Sequence, residues 1–349
     1  MRNIQTLHAH TTNSDGELNY LQVLKVCEKN NIGAVAFTDH DTLISEKDFE
    51  DLKNYTGPVK FISGVEISSG LPLDLGGGNS SELHIVGLFV DPTNDALKKH
   101  CILAQQSRIS RMEQMVKNLT GLGFDITNED CLEASGGETV ARPHIVTALK
   151  SKATNLYILE QLRLKMAEES NSNLAVKAKY DAMMERGETQ YPYVLFLSDG
   201  SYIPNIYVES PYFIDMDSCV KLIRDAGGVA ILAHYFTIAK KLNKELLEQM
   251  LIDNRLDGAE TVYGLFGLID TSSEIAKIIT ETSNMTTDLI EKHKKLASGG
   301  ADAHTEEVFI AFANSGDYAK KTIGFAENII ANSNVDIKWS NFTKASETI

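Results

Sequence analysis

Seven of the nine histidines in this chain fall at or near the ends of short apolar runs, each beside a carboxylate, a glycine or a small polar residue. They are His8 and His10 in LHAHTTNSDG, His40 in AVAFTDHDT, His84 in ELHIVGLFV, His144 in ARPHIVTAL, His234 in GGVAILAHY and His304 in ASGGADAHT. This placement limits the fold. α/β barrels and open α/β sheets gather polar side chains at the carboxyl ends of their strands. A chain with many such run ends is therefore expected to be an α/β protein whose strands meet at one rim.

The rest of the pattern agrees. IQTLHAH, IGAVAFTDH, VKFISGVEI and ELHIVGLFV read as early strands. Residues 18–30 read as a helix with Leu21, Leu24 and Cys27 inward. Near the other end GGVAILAH, LDGAETVYG, KLASGGADAH and TIGFAENII resume the alternation, which predicts a parallel sheet. The middle differs. From about residue 95 to 149 the period is helical, with Leu97, Cys101, Ala104, Met112, Met115 and Leu119 on one face and Pro143 in the first turn of a later helix. Residues 150–190 stay helical, and an aromatic- and proline-rich stretch follows. The expected organisation is a barrel from 1–99 and 216–349, with 100–215 as a helical insertion or cap.

Composition narrows the function classes. At 349 residues and 43% hydrophobic, the chain can bury a large core. No apolar run nears the ~20 residues of a membrane span, and MRNIQTLHAH has no apolar signal region. The 33 basic residues against 48 acidic ones, net −15, argue against gripping long nucleic acid. A small anionic substrate remains compatible, because bound cations reverse the field locally. Cys27, Cys101, Cys131 and Cys219 are scattered and form no CxxC pair, so they read as thiols of a reducing cytoplasm. His100 and His293 lie among lysines and read as surface residues.

Imidazole and carboxylate together suit divalent Mn, Fe or Zn. In an extended segment residues i and i+2 face the same way, so His8 and His10 can grip one ion, and Asp302 with His304 repeats that geometry. Asp15 sits on the following turn. In TDHDT, His40 is a candidate ligand with Asp39 or Asp41 behind its other ring nitrogen, while one of these aspartates could simply cap a helix. Glu66 is a carboxylate within an apolar strand, which a bridge between cations would explain. His84 would join it from a neighbouring strand. Arg142 offers a fork suited to phosphate, next to a further ligand at His144.

These motifs, in this order, resemble the PHP (polymerase and histidinol phosphatase) family of metal-dependent phosphoesterases over most of residues 1–149 and 217–305. GVEIS, ELHIVG, ARPHI, GGVAILAH and DGAE are most similar to its nucleotide-phosphatase branch, which includes 3′,5′-nucleoside bisphosphatases and 5′-3′ exoribonucleases. The resemblance implies a distorted seven-stranded (β/α) barrel with three divalent ions. It gives His8, His10, Glu66 and Asp302 to one ion, and Glu66, His84 and His144 to a second. Asp15, His40 and His304 hold the third, while Arg142 and His234 face the substrate phosphate. The implied reaction is hydrolysis, by metal-activated water, of a small phosphorylated nucleotide or short oligonucleotide. Tyr235 replaces a proline usual in the branch, RGETQYPY around Gly187 lacks its usual basic residue, and ADAH replaces SDFH. The LPLDLGGGNSS loop and the 150–215 region are expanded. These departures motivate two alternatives: a phosphatase for histidinol phosphate or a sugar phosphate, or a metal-binding module without turnover.

Overall fold

The computed structural model describes residues 3–75, 82–136, 140–185, 191–264 and 273–343. The chain divides into two compact units, 1–104 with 213–349 and 105–212.

The first unit is an α/β structure around one seven-stranded sheet. Its strands are β1 (Ile4–Thr6), β2 (Ile32–Phe37), β3 (Lys60–Gly70), β4 (Glu82–Leu88), β5 (Val229–Leu232), β6 (Gly258–Val262) and β7 (Leu296–Gly299). They lie side by side in chain order. The parallel pattern expected from sequence fails at β4, which runs antiparallel to both β3 and β5. β3 ends at Gly70 and β4 starts at Glu82, a connection shorter than the dozen or more residues a parallel crossover usually takes, so an antiparallel partner is the one within reach. Beyond the strand ends, Leu7 N–H donates to Gly299 O (3.0 Å), Asp302 N–H to His8 O (3.0 Å) and His10 N–H to Ala303 O (2.9 Å). The segments leaving β1 and β7 are thereby paired.

Helices cover the sheet through periodic apolar stripes. The helix Tyr20–Lys29 starts at a capping box formed by Asn19 and Gln22 and buries Tyr20, Val23, Leu24, Val26 and Cys27. Leu21, expected inward, is 45% exposed, because the stripe runs through 20, 23, 24 and 27 and position 21 lies off it. TIGFAENII, read as a strand, supplies the helix Phe325–Asn332, with Phe325, Ala326 and Ile329 inward at helical spacing. One core gathers Leu7, Val35, Phe37, Phe61, Phe309 and Phe312. Another joins Val65, Ile85 and Leu232 to Met216, Ile223, Leu251 and Ile279. Each such side chain contributes roughly 1.5–3 kcal/mol on burial. The sheet they hold is rigid enough to aim the polar groups at its strand ends.

The second unit is helical, with Asn128–Ser135, Arg142–Lys150, Ala153–Ser170 and Leu174–Glu185 and a π-helical turn at Tyr193–Leu197. Met112, Met115, Leu119, Cys131, Ile145, Leu149, Leu159 and Phe196 form its core. The apolar face read from Leu97 to Leu119 is buried along the helix Asp95–Gly121. All four cysteines are buried free thiols. Among the described residues no helix is long and apolar enough to cross a membrane.

Candidate metal centre

The centre begins where β1 ends. His8 and His10 flank Ala9 in an extended segment, and both imidazoles are buried. The loop after them is fastened by Asp39, whose carboxylate accepts from Thr11 N–H (2.7 Å), Thr11 Oγ1 (2.8 Å) and Ser14 Oγ (2.7 Å). That loop carries Asp15. Asp39, one of the two aspartates expected behind the His40 ring, thus supports the Asp15 loop. Asp41, at φ +47°, accepts from Ser68 N–H at 3.1 Å and lies 3.7 Å from His100 Nε2.

His100, expected at the surface, is only 4% exposed. Positions 97, 100, 101 and 104 form one helical stripe, so His100 turns inward with Leu97, Cys101 and Ala104 while its lysine neighbours point away.

Glu66, fully buried on β3, is the hub. Its Oε2 lies 3.2 Å from His8 Nε2, 3.2 Å from His10 Nε2 and 3.0 Å from His40 Nδ1. Its Oε1 lies 2.7 Å from His84 Nδ1 and 2.9 Å from His234 Nε2. Asp302 Oδ1 approaches His10 Nε2 at 3.1 Å and His8 Nε2 at 3.4 Å. Asp15 Oδ1 meets His304 Nε2 at 3.3 Å, and its Oδ2 is 3.9 Å from His40 Nε2.

The side chains form three overlapping groups: His8, His10, Glu66 and Asp302; His40, Glu66 and His84; His10, Asp15, His40 and His304. Within each, one ligand atom per residue lies within 4.8 Å of all the others. His234, expected at the substrate, stands against Glu66, with its ring stacked 5.8 Å from that of His8.

The electrostatics follow from this crowding. Burial opposes ionisation of Asp15, Glu66 and Asp302, but the surrounding histidines hold all three well below the usual carboxylate range. Burial likewise opposes charge on His8 and His10, yet nearby carboxylates raise His8 well above its ordinary value and His10 to about 10. His234 and His304 are also raised by carboxylates against burial, whereas burial wins at His40 and lowers it.

His8 Nε2, Asp15 Oδ1 and Glu66 Oε2 are buried without a hydrogen bond. Buried polar atoms rarely go unpaired. Orphaned nitrogen and oxygen atoms converging in overlapping sets fit first-row divalent ions.

Arg142 and His144 belong to the second unit, on the first turn of the helix Arg142–Lys150. His144 Nδ1 accepts from Ala141 N–H at 3.0 Å. Arg142 donates to Leu197 O at 3.3 Å and stands 5.8 Å from the rings of both Tyr193 and Tyr207. The segment around Gly187 and most of the LPLDLGGGNSS loop lie outside the described residues.

Sequence reading missed one member, Glu260. It is buried on β6, with Oε1 2.7 Å from His8 Nδ1 and Oε2 accepting from His234 N–H at 2.6 Å. The signal was available: DGAETV places a carboxylate inside a buried strand, as GVEIS does for Glu66.

No protein-family profile matches the chain. Curated relatives do. The phosphoribosyl 1,2-cyclic phosphate 1,2-diphosphodiesterase of Eggerthella lenta is 23% identical over 86% of this chain and 94% of that protein. The 5′-3′ exoribonuclease Rnm of Salmonella typhimurium is 23% identical over 86% of this chain and 85% of that protein. The 3′,5′-nucleoside bisphosphate phosphatase of Chromobacterium violaceum is 23% identical over 87% and 88%. Among solved structures, a protein of Bifidobacterium adolescentis assigned as a metal-dependent phosphoesterase superposes with a TM-score of 0.62, at 22% identity and over 86% of this chain and 87% of that one. The chain has the fold of a metal-dependent phosphoesterase. The resemblance to PHP phosphoesterases drawn from its motifs is borne out by these relatives.

Proposed function

We propose that this chain is a metal-dependent phosphoesterase acting on a phosphate ester carried by a ribose, as a nucleoside mono- or bisphosphate or at the end of a short oligonucleotide. The observation that carries the reading is the set of three histidine–carboxylate groups sharing Glu66, His10 and His40. The names of the three relatives, a phosphoribosyl cyclic phosphate diphosphodiesterase, an exoribonuclease and a nucleoside bisphosphate phosphatase, support a substrate of this kind. A net charge of −15 favours a small substrate or a short strand end over a gripped polymer.

Three divalent ions, Mn, Fe or Zn, would activate water for attack and neutralise the phosphoryl oxygens. The chain's own part is to hold them: His8, His10, Glu66 and Asp302 for one, Glu66 with His84 and His40 for a second, Asp15, His40 and His304 with His10 for the third. His234, whose Nε2 lies 2.9 Å from Glu66 Oε1 at the edge of these groups, would orient the phosphate or protonate the leaving oxygen. Arg142 and His144 enter this reading through the sequence resemblance alone.

The same reading takes the seven strands as a distorted barrel, closed where Leu7, His10 and Asp302 pair beyond β1 and β7. It takes residues 100–215 as the inserted cap and a reducing cytoplasm as the setting for the free thiols.

The test is elemental analysis of the purified protein together with rates on nucleoside bisphosphates, nucleoside monophosphates, a ribosyl cyclic phosphate, short oligonucleotides and histidinol phosphate. Hydrolysis of a ribose-borne ester that disappears in a His8→Ala, His10→Ala double variant is expected. Unchanged metal content and rate in that variant would overturn the reading.

A further inference from the structure

Glu260 lies on the far side of His8 from the ligand groups. It belongs to none of the three groups found among the described residues, and both of its oxygens are committed elsewhere. A carboxylate can only accept, so the 2.7 Å contact puts the imidazole hydrogen of His8 on Nδ1. When the ring gives up its second proton to bind an ion, Nε2 is therefore the nitrogen left with a lone pair, and it points at Glu66 and Asp302, 3.2 and 3.4 Å away. The second oxygen takes the main-chain N–H of His234 at 2.6 Å. His234 stands at φ +29°, a region that non-glycine residues rarely adopt and that surrounding bonds must hold.

The geometry points to Glu260 as a positioning residue that fixes the ring tautomer of His8 for ion binding and, through its other oxygen, pins the strained turn carrying His234. One buried carboxylate on β6 thus couples a ligand at the end of β1 to the residue that follows β5. A histidine that ligates a metal is commonly oriented in this way by a partner on its other nitrogen, and loss of such a partner costs roughly 10–100-fold in metal affinity. The coupling to His234 extends the proposed function above and rests on it; the tautomer of His8 does not.

The experiment is Zn(II) titration of metal-free wild type and Glu260→Gln, with the fold checked by circular dichroism. A glutamine has one acceptor oxygen for two donors and turns an N–H₂ toward the other. The group His8, His10, Glu66 and Asp302 is expected to lose roughly 10–100-fold in affinity, while the group His10, Asp15, His40 and His304 keeps its constant. Unchanged constants in a folded Glu260→Gln overturn the inference. If that variant does not fold, ¹⁵N-histidine spectra of the Zn-loaded wild type decide: a proton on His8 Nδ1 with Nε2 metal-bound supports it, and the opposite tautomer refutes it. Weakened Zn binding with no phosphoester hydrolysis in the wild type leaves the His8 role standing and removes the proposed function. Hydrolysis with unaltered Zn binding in the variant does the reverse.

Discussion

Replacing Glu66 with glutamine probes the centre most directly, because five imidazole nitrogens lie 2.7–3.2 Å from its two oxygens and its side chain is sealed from solvent. The substitution preserves shape and removes the charge. In metal-free protein, protonated His8 and His10 then lose a buried counter-charge, and breaking a buried pair by removing one partner costs about 3–5 kcal/mol. If those rings were neutral, only hydrogen bonds would be lost, at about 1–3 kcal/mol. The sign follows from the depressed Glu66 pKa. Its contribution is present above the ordinary carboxylate range and disappears as pH falls through the lower folded value. The assay is urea unfolding at pH 7 with a chelator present. In the wild type, an ion at a hundred times its dissociation constant adds about 2.7 kcal/mol per site. Glu66 belongs to two of the three groups, so Glu66→Gln should lose that increment at both and keep it at His10, Asp15, His40 and His304. Metal content should fall to about one third. Undiminished metal content, or a loss of stability below about 1 kcal/mol, would refute the assignment of Glu66 as the hub.

Other perturbations act on what surrounds the ligands. Asp39→Ala removes the acceptor for Thr11 and Ser14, so the Asp15 loop should loosen and the Asp15–His304 group should lose about tenfold or more in metal affinity, read by titration against an unchanged Glu66 group. Gly300→Ala would place a Cβ 2.5 Å from Thr6 Oγ1 and 2.8 Å from Leu7 N, prising apart the segments that carry His8 and Asp302. It should cost about 1–3 kcal/mol in urea unfolding and lower metal content with it. Glu248 is held at about 2 by hydrogen bonds from Lys292 and His293. The stability it contributes is complete above about 4.5 and lost as pH falls towards about 2, so the melting-temperature gap between wild type and Glu248→Gln should be widest near neutrality and close in acid.

Residues that act through local spacing were legible in the sequence, and those that act through pairing across the sheet were not. His8 with His10, and Asp302 with His304, stand two apart on extended backbone, so period-two geometry alone brings each pair to one face. Glu66 stood out because a carboxylate in an apolar strand needs a partner. Glu260 satisfies the same criterion, but its partners, His8 and the main chain of His234, are defined only once β6 lies between β5 and β7. The direction of β4 was equally hidden, since ELHIVGLFV reads the same either way and its polarity is set by the connection before it. That reversal matters for the chemistry. In a parallel strand leading to this rim, a ligand is expected at the carboxyl end. His84 instead lies near the amino end of β4, opposite Ser68 on β3 and two positions beyond the Glu66 register, and it reaches Glu66 because β4 enters where its neighbours leave. A centre built around one shared carboxylate therefore depends on the antiparallel strand, and a strictly parallel sheet would have carried His84 to the opposite end of the structure.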